Sequence, residues 1–177
     1  MIADEFEVGR WWRSFFLDLM PILTIALLIL LTTLPVGTAP SVRAGGLWPL
    51  MGITYWTLVR PRSMGVMTVF FLGLMTDLAT FLPLGLHAFV FVLVQISLKR
   101  QRRFLIGQGF WVLWVAFALL ALLSASMLNL MVQVLQHVAT PLAPMLWSVA
   151  FACASLPLML WLFDRVHQLM ELFDEPV

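Results

Sequence analysis

A chain of 177 residues of which 62% are hydrophobic and only 11% charged stands far from a soluble domain, where about 45–50% and about 25% are usual. A core of this size could not bury so much apolar surface, and the apolar runs are continuous rather than alternating, which excludes a β-barrel and points to membrane-crossing helices. The net charge of +1 decides nothing as a sum; its distribution along the chain does.

Residues 1–14 are polar and mixed in charge. They do not read as a cleavable secretory signal, because acidic residues precede the arginines. The first span is expected over 15–34, with Asp18 and Pro21 near its start and Trp11 and Trp12 beside Arg10 and Arg13 as an interfacial anchor. Glycine and proline make 35–46 a loop. The second apolar run, 47–59, is short. At about 1.5 Å per residue it covers about 20 Å, so it is tilted, extended by the preceding glycines, or partly re-entrant.

The runs 63–82 and 83–98 are parted only by the turn Pro83-Leu84-Gly85 and read as a helical hairpin. The densest charge follows, at Lys99, Arg100, Arg102 and Arg103. Gly107 and Gly109 suggest a surface segment before a fifth span over 110–135, and 136–144 is another turn-rich break. The last span, 145–163, has Trp147 at one end and Trp161 at the other. In the tail 164–177, Val166, Leu169, Met170 and Phe173 fall at i, i+3, i+4 and i+7, the pattern of an amphipathic helix lying on a membrane or a partner.

With six crossings, every Lys and Arg except Arg43 falls on one side, and nine of ten basic residues sharing a side is a strong positive-inside signal. The expected architecture is therefore an all-α integral membrane protein. Its cytoplasmic N-terminal segment is 1–14, its six-helix transmembrane bundle 15–163, and its cytoplasmic tail 164–177. Arg62, Lys99, Arg100, Arg102 and Arg103 are read as topology determinants in contact with anionic lipid.

One acid stands inside the apolar sequence, Asp77. Counted from Ser63 it lies about 21 Å up the ascending helix, and His87 lies about 6 Å below the Pro83 turn on the descending one. The two are at similar height, so a His–Asp contact is allowed by depth. Gly65, Gly73 and Asp77 are spaced by eight and four residues, a small-residue face that permits close helix approach. A buried acid needs a partner or water, and His87, Arg43 and the hydroxyls of Thr76 and Thr80 are the candidates. Two readings stand for Asp77: a polar contact between helices, or a site for a ligand or partner. For His87 a structural hydrogen bond is favoured over proton transfer.

Enzyme chemistry is not expected. No His, Cys or carboxylate set has metal-ligand spacing, no glycine-rich phosphate loop occurs, and the single Cys153 has no partner. No cofactor or metal is implied. The one basic cluster is short and abuts the membrane, which argues against nucleic acid.

The order of features over 49–88 resembles the MreD family of bacterial rod-shape-determining proteins: Tyr55-Trp56, the basic turn Arg60-Pro61, Phe71-Leu-Gly-Leu-Met-Thr-Asp77, then Pro83-Leu-Gly-Leu-His-Ala88. By motif match, Tyr55, Trp56, Arg60, Pro61, Gly73, Asp77, Pro83, Gly85 and His87 are the positions carried over. The resemblance implies a non-enzymatic inner-membrane subunit of the cell-elongation machinery, both termini cytoplasmic. Its implied partners are MreC, indirectly the cytoskeletal protein MreB, and the peptidoglycan polymerase and transpeptidase of the lateral wall. It also implies a fold similar to the substrate-binding subunits of energy-coupling-factor transporters, and the alternative function is such a small-molecule-binding subunit. Many relatives have a glycine between the motif acid and the Pro-Leu-Gly turn. Here that stretch is Leu78-Ala-Thr-Phe-Leu82, so the resemblance does not supply the shape of the turn.

Overall fold

The computed structural model describes residues 19–33, 47–137 and 141–174, apart from the side chains of residue 136 and of 169–174. The expectations placed on Trp11, Trp12, Asp18, Arg43, the 35–46 loop and the side chains of Leu169, Met170 and Phe173 fall outside the described residues. The described residues form six helices: α1 (Leu19–Thr32), α2 (Trp48–Val59), α3 (Val66–Thr80), α4 (Leu86–Leu105), α5 (Phe110–Gln136) and α6 (Leu142–Asp174).

Helix α2 is the hub. Twelve residues give it a length of about 18 Å, and nine of them are buried, because α4, α5 and α6 all pack against it. A helix that is apolar all round needs neighbours all round, which is what its sequence, WPLMGITYWTLV, provides for. Its contact with α1 is made at Gly52, where a Cβ would come within 2.8 Å of Ile25 Cγ1. The indole of Trp56, fully buried, donates to Thr24 Oγ1 of α1 at 2.9 Å. Tyr55 stacks on Phe163 of α6 with ring centroids 5.1 Å apart, and Trp48 stacks on Phe151 at 6.1 Å.

The core is largely apolar, yet it also holds polar groups, while large apolar side chains cover the outside. Thr54, Thr57, Thr76, Asp77, His87, Gln95 and Ser124 are buried. Leu23, Leu27 and Leu30 of α1, Met67 and Phe71 of α3, Leu119 and Leu123 of α5, and Leu158 and Trp161 of α6 are exposed. Water penalises an apolar patch of that extent, whereas hydrocarbon does not. Helices α5 and α6 are long and apolar enough to cross a membrane, over Phe110–Leu135 and Leu142–Gln168.

Two boundaries differ from the sequence reading. Helix α4 continues through the basic cluster to Leu105 rather than ending at 98, since Lys and Arg are good helix formers and sit favourably near a helix C-terminus. Helix α6 continues beyond the last expected span, through 164 to Asp174, despite Pro157 within it. Proline has no N–H, so the carbonyl four residues earlier, that of Cys153, loses its helical donor. The indole of Trp114 on α5 donates to that carbonyl at 3.1 Å and fills the vacancy.

Candidate functional site

Helices α3 and α4 form the hairpin, and its closure explains why an acid stands in apolar sequence. Helix α3 ends at Phe81, which adopts a left-handed φ of 56°. Leu82 N–H bonds Asp77 O at 3.1 Å and Phe81 N–H bonds Leu78 O at 3.4 Å, the double bond of a Schellman stop. Glycine normally holds that position. The chain then turns through Pro83 and Leu84 to Gly85, whose φ of 101° suits a residue without a Cβ, and α4 begins.

Gly85, as the N-cap of α4, has no side chain to satisfy the first N–H groups of that helix. Asp77 satisfies them from the neighbouring helix. Its Oδ2 accepts from Gly85 N–H at 2.8 Å, and its Oδ1 accepts from His87 N–H at 2.9 Å and lies 2.8 Å from His87 Nδ1. A carboxylate only accepts, so Nδ1 carries the hydrogen. Three N–H donors thus converge on two oxygens, which takes the place of water around a buried anion. Asp77 is fully buried and His87 nearly so. The charge lies at the positive end of the α4 dipole, where it is favourable, although it stands near the unfavourable C-terminal end of α3.

Of the four partners expected for Asp77, His87 is the one the described structure brings to it. Thr76 Oγ1 donates to Leu72 O and Thr80 Oγ1 to Thr76 O, both at 2.8 Å, so these hydroxyls serve their own helix. Arg43 lies outside the described residues. Gly73, one turn before Asp77, is where the two helices touch: a Cβ there would fall 2.3 Å from Ala88 Cα and 2.6 Å from its nitrogen. Gly73 of α3 is therefore taken up by α4 of the same chain, whereas Gly65 is the N-cap of α3 and a Cβ there would meet only Thr68 Oγ1, at 3.4 Å.

The opposite end of the hairpin is held by polar groups of α4. The fully buried Gln95 donates through Nε2 to Met64 O at 2.7 Å and to Gly65 O at 3.3 Å. Lys99 Nζ donates to Met64 O at 2.7 Å, and Arg102 Nε to Leu58 O at 2.9 Å. The carbonyls of Leu58 and Met64 belong to the end of α2 and the turn into α3, whereas Gly65 O also accepts the Val69 N–H of α3 at 3.1 Å. Arg60 closes α2 with its own N–H on Trp56 O at 2.8 Å, and Pro61 follows in the turn. Arg62, Arg100 and Arg103 are exposed. Gln95 is not among the residues expected from the sequence, yet an amide within an apolar run is a signal of the same kind as Asp77, and it stands eight residues after His87 on α4.

Tyr55 and Trp56 are core residues joining α2 to α6 and α1, as described above, and Trp56 presents no surface. Among the described residues no group of three or more His, Cys, Asp or Glu could hold a metal ion.

Comparison with curated proteins finds no match, and comparison with solved structures finds none. The family model described as rod shape-determining protein MreD matches residues 13–166, which include α2, the whole hairpin and α5. A helical bundle with an apolar core and an apolar outer surface, whose hairpin carries Gly73, Asp77, Gly85 and His87 at its closure, thus belongs to the MreD family of rod-shape-determining membrane proteins.

Proposed function

We propose that the chain is a non-enzymatic inner-membrane subunit of the bacterial cell-elongation complex, which binds MreC through its α3–α4 hairpin and so helps position lateral peptidoglycan synthesis. MreB is reached indirectly, and the wall polymerase and transpeptidase lie close by. In this reading both termini are cytoplasmic, and the Arg60–Arg62 turn and the Lys99–Arg103 cluster share that side.

The observation that carries the proposal is the clasp itself. Asp77, Gly85 and His87 lock the outer end of the hairpin, and Gln95, Lys99 and Arg102 lock the inner end. A rigid two-helix plate results. Helix α3 rests principally on α4, and its other face carries Met67, Phe71, Met75 and Leu78, each more than half exposed. Spaced by four, four and three residues, they form one apolar stripe fit for a single transmembrane helix, with packing rather than water expulsion as the source of affinity. Asp77, Gly73 and His87 then support the binding face without touching the partner.

Photo-crosslinking amino acids placed at Phe71, Met75 and Leu78 are expected to capture MreC in cells, whereas the same probe at the exposed Leu123 of α5 is not. Capture from Leu123 alone would overturn the assignment of the face.

A further inference from the structure

A second feature borders the inner end of the clasp, on the α2 side of the bundle. A cavity of about 160 Å³ opens between α2, α5, α6 and the end of α4, with Leu58, Leu105, Leu113, Phe117, Met159 and Phe163 in its wall. Thr54 and Tyr55 alone bring side-chain oxygens to it, and Thr54 Oγ1 is spent on Leu50 O at 2.8 Å. A water there would find too few partners, and an apolar cavity of about 150 Å³ elsewhere is known to stay dry and take a hydrocarbon.

The rim has the opposite character. Arg102 is fixed to it by the bond from Nε to the carbonyl of Leu58, itself a lining residue. Leu105 and Ile106, three and four residues further on, carry the same face of α4 into the cavity wall. That bond uses one of the five guanidinium N–H groups and leaves the outer fork. Hydrocarbon below and guanidinium above are the two halves of an anionic phospholipid.

We propose that this cavity holds the glycerol-proximal part of one acyl chain of an anionic phospholipid from the cytoplasmic leaflet, with its phosphate on Arg102. The leaflet, though not the lipid chemistry, rests on the orientation proposed above. The lipid binds on the α2–α5–α6 side, apart from the α3 stripe.

The test is native mass spectrometry of the full chain released from nanodiscs of equal phosphatidylglycerol and phosphatidylcholine. One phosphatidylglycerol is expected to be retained about fivefold over phosphatidylcholine, the preference that one basic residue near a membrane surface confers. Arg102→Gln is expected to abolish the preference. Met159→Phe and Leu113→Phe, which fill the cavity from two different helices, are each expected to remove retention of both lipids. Equal retention of the two lipids by the wild-type chain would overturn the proposal, as would undiminished phosphatidylglycerol on the filled variants. Should the filled variants not fold, the wild-type ratio and Arg102→Gln still decide. A phosphatase fusion at Arg103 reads the orientation separately: activity outside the cell would overturn the leaflet, while a retained lipid preference would keep the site.

Discussion

At the scale of single residues, Asp77 is an N-cap supplied in trans by one helix of a hairpin to the other. The rise per residue placed Asp77 and His87 at one height, so their pairing was legible as a depth match. Their facing was not, because it depends on the left-handed turns at Phe81 and Gly85 that set the phase of α4 against α3. Nor could the sequence show that backbone N–H groups supply two of the three donors. Phe81 is the clearest local conflict. A non-glycine residue in the left-handed region costs about 1–2 kcal/mol, and the Phe81 side chain is 86% exposed, so it regains little from packing within the chain. Phe81→Gly is therefore expected to stabilise the folded protein by about 1 kcal/mol, read as a shift in its unfolding midpoint in denaturing detergent. No shift, or a loss, would show that Phe81 is held by contacts that outweigh its backbone strain.

At the scale of elements, the run 47–59 is short because α2 is enclosed by protein, as its nine buried residues show. Length alone suggested tilt or re-entry and could not reveal the enclosure. The basic cluster has a comparable lesson: Lys99 and Arg102 also hold the carbonyls of Met64 and Leu58, contacts between segments about forty residues apart that no local pattern encodes. Helix α6 illustrates how a proline is tolerated in a long apolar helix. Trp114 donates to the carbonyl that Pro157 leaves without a partner. Trp114→Phe should cost about 0.6–2 kcal/mol, and the loss should be smaller when Pro157→Ala restores an N–H four residues after Cys153. A double-mutant cycle by detergent unfolding measures the coupling; equal losses in both backgrounds would mean that the indole acts by packing alone.

At the scale of the whole molecule, an apolar core with a few polar residues in it lies inside a sheath of exposed Leu, Phe, Met and Trp. Composition gave the membrane class, and charge distribution gave the expected orientation without any contact being known. Phosphatase and green-fluorescent reporter fusions are expected to place Arg62 and Arg103 in the cytoplasm and Leu84, at the hairpin tip, outside. A cytoplasmic Leu84 would invert the hairpin and with it the side on which the basic residues work.

These scales meet in the function proposed above, in which partner binding by α3 requires the plate that Asp77 closes. Asp77→Leu leaves the N–H groups of Gly85 and His87 and the Nδ1 of His87 without an acceptor in an apolar interior, at about 1–3 kcal/mol for each orphaned group. The deciding measurement is MreC recovered with the tagged chain from solubilised membranes, normalised to the inserted amount of each variant. Asp77→Leu is predicted to reach the membrane at wild-type level and to lose most of the recovered MreC; full recovery at equal insertion would contradict the account.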